Sequence, residues 1–235
     1  EWQDIQEAHL KQVADLMQQL PDISLTNNTD AKKDIQLYSY VEWCLWNADD
    51  DSRNFQRNLS TGEVEVIDST IYHKTEYRER RNHYAIYSVN TKVDGFDTIR
   101  ESFIGTYNGA DKPEAILNGG CTGSVASGWA PIAAHQINVS LNAGESKSFI
   151  FVLGYCENPN EDKWESAGVV NKAPAKEMLA KYQTEESFDK AFEELNTYWK
   201  ALLAKYTVES SNDKVNRMVN IWNQYQCMVT FNMSR

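Results

Sequence analysis

Side chains able to do chemistry are densest between Asn47 and His83. Asp49, Asp50 and Asp51 come first, then Arg53, Asn54, Gln56, Arg57 and Asn58. A strand-like stretch follows, and after it the run His73-Lys74-Thr75-Glu76-Tyr77-Arg78-Glu79-Arg80-Arg81-Asn82-His83. Guanidinium groups offer a fork of donors that fits phosphate, and Asn or Gln amides both donate to and accept from sugar hydroxyls. Such a set suits a hydroxyl-rich or anionic ligand. The plainer alternative is a solvated face of mixed charge whose members pair with their neighbours.

Other chemistries find less support. A calcium loop needs oxygen ligands at alternate positions and a closing Glu, which the aspartate triplet lacks, so no metal site is expected. His9, His73, His83 and His135 have neither H-x-x-x-H nor H-E-x-x-H spacing. His73 and His83 can meet across a hairpin, and hydrogen-bonded structural roles are expected for both. Gly119-Gly120-Cys121-Thr122-Gly123-Ser124 lacks the following Gly-Lys-Ser/Thr of a phosphate cradle and reads as a loop. Cys44, Cys121, Cys156 and Cys227 form no C-x-x-C pair and are expected to be reduced and packed as small apolar residues, which favours the cytoplasm. A paired-carboxylate glycosidase site cannot be picked from 34 acidic residues by composition. The net charge of −11 argues against broad nucleic-acid binding. No run of 18 apolar residues predicts a membrane span, and no signal peptide opens these residues.

The elements that must position these residues follow from periodicity. Trp2, Ile5, Leu10, Val13, Leu16, Met17 and Leu20 recur at helical spacing, and Pro21 closes that helix. Within it, Leu10 to Asp15 has the look of a groove-docking BH3 helix, but ordinary packing explains the stripe better. From Ile23 the period becomes two. Ile23 and Leu25, then Ile35 and Leu37, flank Asn27-Asn28-Thr29-Asp30 and read as strand, turn, strand. Val41–Leu45, Val64–Ile67, Tyr84–Val89, Ile137–Leu141 and Phe149–Leu153 continue the pattern. Strands without intervening helices predict a mainly β, antiparallel sandwich. Helical spacing returns over Ala175–Tyr182 and Ser187–Tyr206, with Phe188, Phe192, Leu195, Trp199 and Leu202 on one stripe. A third helix begins near Ser211, capped by Asn212 or Asp213, with Val215, Met218, Val219, Trp222 and Tyr225 on its apolar face.

Several longer strings carry a resemblance. They are Val41-Glu42-Trp43-Cys44-Leu45-Trp46-Asn47, Asn54-Phe55-Gln56-Arg57-Asn58, the run from Tyr72 to His83, Gly128-Trp129-Ala130-Pro131-Ile132, and the stretch from Asn216 to Asn232. They resemble the cellobiose phosphorylases, inverting disaccharide phosphorylases of glycoside hydrolase family 94, over roughly residues 22–235. The resemblance implies a galactose-mutarotase-like β-supersandwich joined by helices to an (α/α)6 barrel, in a homodimer. On that basis residues 1–21 are a helix outside the family, 22–156 an incomplete sandwich, 157–207 a helical linker and 208–235 the first barrel helix.

The implied reaction is phosphorolysis of cellobiose to glucose 1-phosphate and glucose, with inorganic phosphate as co-substrate and no cofactor. The single catalytic acid is expected beyond Arg235, so this chain is expected to be an inactive fragment. A loop of the sandwich covers the neighbouring subunit's substrate pocket in the family. The Asn54–Asn58 string resembles that loop, which implies a sugar hydrogen bond from Gln56. Arg57 either contacts substrate or orients the loop through Asp49–Asp51. Sandwich strands expected before Ile23 would leave open sheet edges and favour association. A second reading is a non-catalytic carbohydrate-binding or scaffold module, binding sugar through Trp43, Trp46, Trp129 or Trp164, with residues 1–20 as an interaction helix.

Overall fold

The computed structural model describes residues 22–43, 62–75, 82–128 and 131–233. The leading helix, Gln56 and Arg57 lie outside the described residues. The chain divides into two compact units, residues 1–184 and 185–235.

The first unit holds β1 (Asp22–Thr26), β2 (Lys33–Glu42), β3 (Gly62–Ile67), β4 (Thr70–Thr75), β5 (His83–Val89), β6 (Gly95–Ile99), β7 (Ser127–Gly128), β8 (Pro131–Leu141) and β9 (Ser146–Glu157). They form two antiparallel sheets, ordered β1-β9-β5-β4-β3-β7 and β2-β8-β6. The fold is therefore mainly β and antiparallel, as the strand spacing predicts. Val64, Ile71, Ala85, Tyr87, Val89, Phe149 and Phe151 from the larger sheet meet Ala133, Ile137, Val139 and Leu141 from the smaller. Their burial is the main driving force for closing the sandwich.

Both sheets are also covered outside. Phe103 and Ile104 of α1 (Arg100–Ile104) and Ala115 of α2 (Glu114–Leu117) pack on Ile132 and Ala134 of the smaller sheet. On the larger sheet the cover is the hairpin β10 (Trp164–Ser166) and β11 (Val169–Val170), followed by α3 (Ala173–Ala180). Val170, Ala175 and Met178 pack there on Tyr72, Tyr84 and Ile86. All seven residues of β5 are consequently buried, so this strand shows no polar alternation.

The strand, turn, strand order read across Asn27–Asp30 is present as β1 and β2, which pair not with each other but with β9 and β8. The turn crosses between the sheets and is pinned by Asn27, whose Nδ2 donates to Ala31 O at 2.8 Å and Asn142 O at 2.9 Å. One expectation changes: the stretch from Val41 is not a separate strand, since β2 runs unbroken to Glu42. β2 is also an edge, ten residues long, with no ladder partner on its far side among the described residues.

The second unit comprises α4 (Glu185–Leu203), α5 (Asp213–Arg217), a π-helical turn over Met218–Trp222 and α6 (Asn223–Met233). Asn212 is the cap, its Oδ1 accepting from Lys214 N and Val215 N. Side-chain amides then recur every four residues, one above another on the helix. Asn216 bonds both backbone groups of Ser210. Asn220 does the same to Val208, at 2.7 and 2.8 Å. Gln224 Nε2 donates to Tyr206 O at 2.9 Å. This ladder straps the irregular 206–210 segment to the helix. No residue of α4 is buried, and Phe192, Met218, Trp222 and Tyr225 are exposed. Among the described residues, no helix is long and apolar enough to cross a membrane.

Buried histidines sit between the sheets. His135 stacks on Tyr87 with ring centroids 5.0 Å apart, and neither ring nitrogen has a hydrogen-bond partner. His73 stacks on Trp43 at 5.4 Å, and its Nδ1 has none. The hydrogen-bonded role expected at His73 is thus replaced, at Nδ1, by stacking in an apolar layer. His83 does bond, Nδ1 lying 3.2 Å from Tyr155 OH. Burial pushes His135 down to about 4, and burial with the nearby His83 pushes His73 down to about 3.

Two outcomes follow. Both histidines regain an ordinary value of about 6.5 on unfolding. The unfolded chain then binds more protons below that pH, so stability is full above it and falls on acidification. The unfolding free energy from urea titrations should be flat near pH 7.5 and fall below about pH 6.5, with a slope approaching about 1.4 kcal/mol per pH unit for each histidine. His135→Phe, which keeps the stack, should halve the slope; an unchanged slope would count against it. Asn220→Ala should speed hydrogen exchange at the Val208 amide by about ten-fold or more, since that donor loses its acceptor.

Candidate functional site

Strand register brings the described residues that flank the polar cluster to one end of the sandwich. Glu42 lies opposite Ile132, Gly62 opposite both Thr75 and Gly128, and His83 opposite Glu157. The intervals 44–61, 76–81 and 129–130 are all flanked by these residues. Gln56 and Arg57 fall in the first interval, as do Asp49–Asp51, so their geometry is outside the described residues. The described floor of this end is the Trp43–His73 stack, with His83 bonded to Tyr155 and Tyr155 OH donating to Glu157 Oε2 at 3.3 Å. Asn82 Nδ2 donates to Asn158 O at 2.7 Å, fixing the start of β5. Trp43 is buried, which overturns its reading as a sugar platform. Trp164 is 42% exposed, with Lys163 Nζ 4.4 Å and Lys74 Nζ 5.6 Å from its ring centre. Trp46 and Trp129 lie outside the described residues.

Lys74 belongs to the sequence cluster, yet it faces the outer side of the larger sheet. Its Nζ lies 3.0 Å from both Glu63 Oε2 and Glu65 Oε1 and donates to Gly168 O at 2.6 Å. Lys172, only 1% exposed, pairs with the other oxygen of Glu65 and donates to Val170 O at 2.9 Å. Val170 N donates to Glu65 Oε1 at 3.0 Å. Burial alone would raise the Glu65 carboxyl, but hydrogen bonds from Lys172, Val170 and Lys74 outweigh it and hold the group below its ordinary range. Sequence reading missed Glu65 and Lys172. Alternation in Gly62-Glu63-Val64-Glu65-Val66 shows a polar outer face, but nothing local marks a lysine 107 positions away as its partner.

The glycine-rich loop is held by a carboxylate. Asp97, fully buried, accepts from Thr122 N at 3.0 Å, Thr122 Oγ1 at 2.6 Å, Ser124 N at 3.0 Å and Ser124 Oγ at 2.7 Å. Gly123, at φ +74, turns its N–H onto Phe96 O at 2.9 Å. Burial, followed by the charge of Asp97, pushes the Cys121 thiol up to about 12, away from nucleophilic use. Cys121, Cys156 and Cys227 are free thiols. Among the described residues, no group of three or more His, Cys, Asp or Glu is placed to hold a metal ion.

Comparison with known proteins accounts for this sandwich. The family model described as glycosyl hydrolase 94, supersandwich domain, matches residues 15–185. The chain belongs to glycosyl hydrolase family 94. The catalytic-domain model of the same superfamily matches residues 198–235. The N,N′-diacetylchitobiose phosphorylase of Vibrio furnissii is 26% identical over 221 residues, 92% of this chain and 25% of that protein. The cyclic β-(1,2)-glucan synthase NdvB of Rhizobium meliloti (strain 1021) is 24% identical over 91% of this chain and 7% of its own length. The solabiose phosphorylase of Paenibacillus borealis is 22% identical over 91% of this chain and 26% of its own. The chain thus spans about a quarter of the length of its phosphorylase relatives.

In this family-94 supersandwich, Glu65 joins β3 to the covering hairpin through Lys172 and Val170, so its removal should be felt. Glu65→Ala strips the buried Lys172 ammonium of its carboxylate, while Lys74 keeps Glu63, and chemical denaturation should show a loss of about 3–5 kcal/mol. Adding Lys74→Met and Lys172→Met should recover most of it. No recovery in the triple variant would mean that the charges are not the source of the loss.

Proposed function

We propose that residues 1–235 supply the supersandwich, linker helices and first barrel helix of a homodimeric, cytoplasmic disaccharide phosphorylase acting on cellobiose. The observation that carries this reading is the succession of the two family-94 matches, supersandwich over 15–185 and catalytic domain over 198–235. Support for cellobiose comes from the strings at Val41–Asn47, Asn54–Asn58 and Tyr72–His83. The phosphorylase relatives are named for N,N′-diacetylchitobiose and solabiose.

On this reading phosphate attacks the anomeric carbon on the face opposite the departing sugar, while a general acid of the catalytic domain protonates the glycosidic oxygen. Phosphate is already an anionic nucleophile, so no second carboxylate is needed to activate it, and the configuration inverts. Gln56 donates to or accepts from a sugar hydroxyl, with Arg57 beside it either contacting substrate or holding the loop to Asp49–Asp51. The described residues beside these positions in the chain are held by the Trp43–His73 stack and the His83–Tyr155 bond.

The 235 residues alone should release no glucose 1-phosphate from cellobiose. A polypeptide in which they are continued by a complete family-94 catalytic domain should release it only when phosphate is present. Gln56→Ala should then raise KM about ten-fold, the equivalent of one hydrogen bond. Phosphate-independent release of glucose, or turnover by the 235 residues alone, would overturn the reading.

A further inference from the structure

Among the described residues, the cover on the outer face of the smaller sheet extends over only part of its length. Tyr40 lies under α1, stacked on Phe103 at 5.3 Å. Beyond it, Asp34, Gln36 and Tyr38 of β2 stand opposite Ser140, Asn138 and Gln136 of β8. Asp34, Gln36, Asn138 and Ser140 are exposed, and Tyr38 is half-buried.

Two backbone groups fix how these amides point. Cys121 N–H donates to Gln136 Oε1 at 2.8 Å, which turns Gln136 Nε2 toward Asn138 Oδ1 at 3.3 Å. Gly119 O accepts from Gln36 Nε2 at 3.1 Å, and that nitrogen also reaches Asn138 Oδ1 at 3.3 Å. Tyr38 OH closes the set by donating to Gln36 Oε1 at 3.3 Å. Both glutamines thus aim donors at the Asn138 carbonyl, and among the described residues the amide nitrogen of exposed Asn138 keeps both hydrogens to donate. The lock is built into the backbone. A Cβ on Gly95 would fall 2.8 Å from Gln136 Oε1, so glycine there makes room for it.

A diagonal step away, Ser140 Oγ donates to Asp34 Oδ1, and Lys32 lies 3.7 Å from that same oxygen. The hydrogen bond from Ser140, then the charge of Lys32, hold the Asp34 carboxyl below its ordinary range. Among the described residues, Oδ2 of exposed Asp34 remains available as an acceptor. A fixed donor pair and a fixed carboxylate acceptor, one diagonal step apart on a sheet, match neighbouring hydroxyls that each donate and accept.

We propose that this strip is a carbohydrate-binding surface, taking a pyranoside through a vicinal diol held between Asp34 and Asn138, with the Tyr38 ring alongside. Two or three hydrogen bonds with little burial give millimolar affinity. The proposal stands on described side chains and does not depend on phosphorolysis.

The test is a titration of the 235-residue chain with methyl β-D-glucopyranoside and with cellobiose, followed by amide NMR. Saturable shifts of the Asn138 and Gln36 side-chain amides should appear by about 50 mM, as millimolar affinity requires. Asn138→Ala and Asp34→Ala should each weaken binding about five-fold or more, measured at a temperature where each variant is fully folded, because Asn138 also accepts from Gln36 and Gln136 and Asp34 from Ser140. No saturable shift, equal shifts from acyclic sorbitol, or full binding in both variants would overturn the proposal. None of these readouts involves glucose 1-phosphate, so a failed phosphorylase assay leaves them intact.

Discussion

Glu65 stands where a six-stranded sheet needs a cover on its second face. Apolar burial supplies the attraction, through Tyr72, Tyr84, Ile86, Val170 and Ala175, but that attraction has no direction. The carboxylate supplies direction. It receives Lys74 from the next strand, Lys172 from just before α3 and the backbone N–H of Val170. Each of these bonds has a narrow geometry, so the hairpin can seat in one register only. The arrangement holds because every partner is present; the desolvation of two lysines and a carboxylate is offset only as a set. Lys172 over the Tyr72 ring at 5.4 Å adds a cation–π contact to the same set.

One device recurs across the chain. A single polar side chain, on a regular element or just past its end, satisfies backbone groups of an irregular segment. Asn27 closes the turn between sheets, Asp97 gathers Thr122 and Ser124, Asn158 Nδ2 donates to Asn171 O, and Asn220 holds both backbone groups of Val208. Loops in this fold are thereby spared buried, unpaired N–H and C=O groups. This is how a chain with only 41% hydrophobic residues encloses a core that includes His73, His83, Asp97, His135 and Lys172.

The sequence reading succeeds where one face decides the residue type. Val64–Ile67, Ile137–Leu141 and Phe149–Leu153 lie within β3, β8 and β9, and Asn212 caps its helix as one of two expected candidates. It fails where buried polar residues break the period. β4 carries His73 and Lys74, β6 carries Asp97 and Thr98, and neither shows an apolar signature. The π-helical turn at Met218–Trp222 is likewise invisible in the pattern, because one extra residue only shifts the helical phase. The candidate site is legible in a different way. Composition reaches only a polar cluster, and pairwise register then shows that residues 42, 62, 75, 83 and 128 share one end of the sandwich. Partners such as Glu65 and Lys172 are joined by tertiary geometry alone.

The glycine-rich loop shows why composition cannot separate a ligand cradle from a structural loop. Phosphate cradles work by aiming several backbone N–H groups at one anion. Here Thr122 N and Ser124 N do converge on an anion, and Thr122 Oγ1 and Ser124 Oγ join them. The anion is the protein's own Asp97, 25 residues earlier in the chain for Thr122. Cys121 N and Gly123 N are taken by Gln136 Oε1 and Phe96 O. Glycine content is therefore the same for both kinds of loop, since it reports only that the backbone must turn. What decides the function is whether the fold already supplies the negative charge, and in this sandwich β6 supplies it.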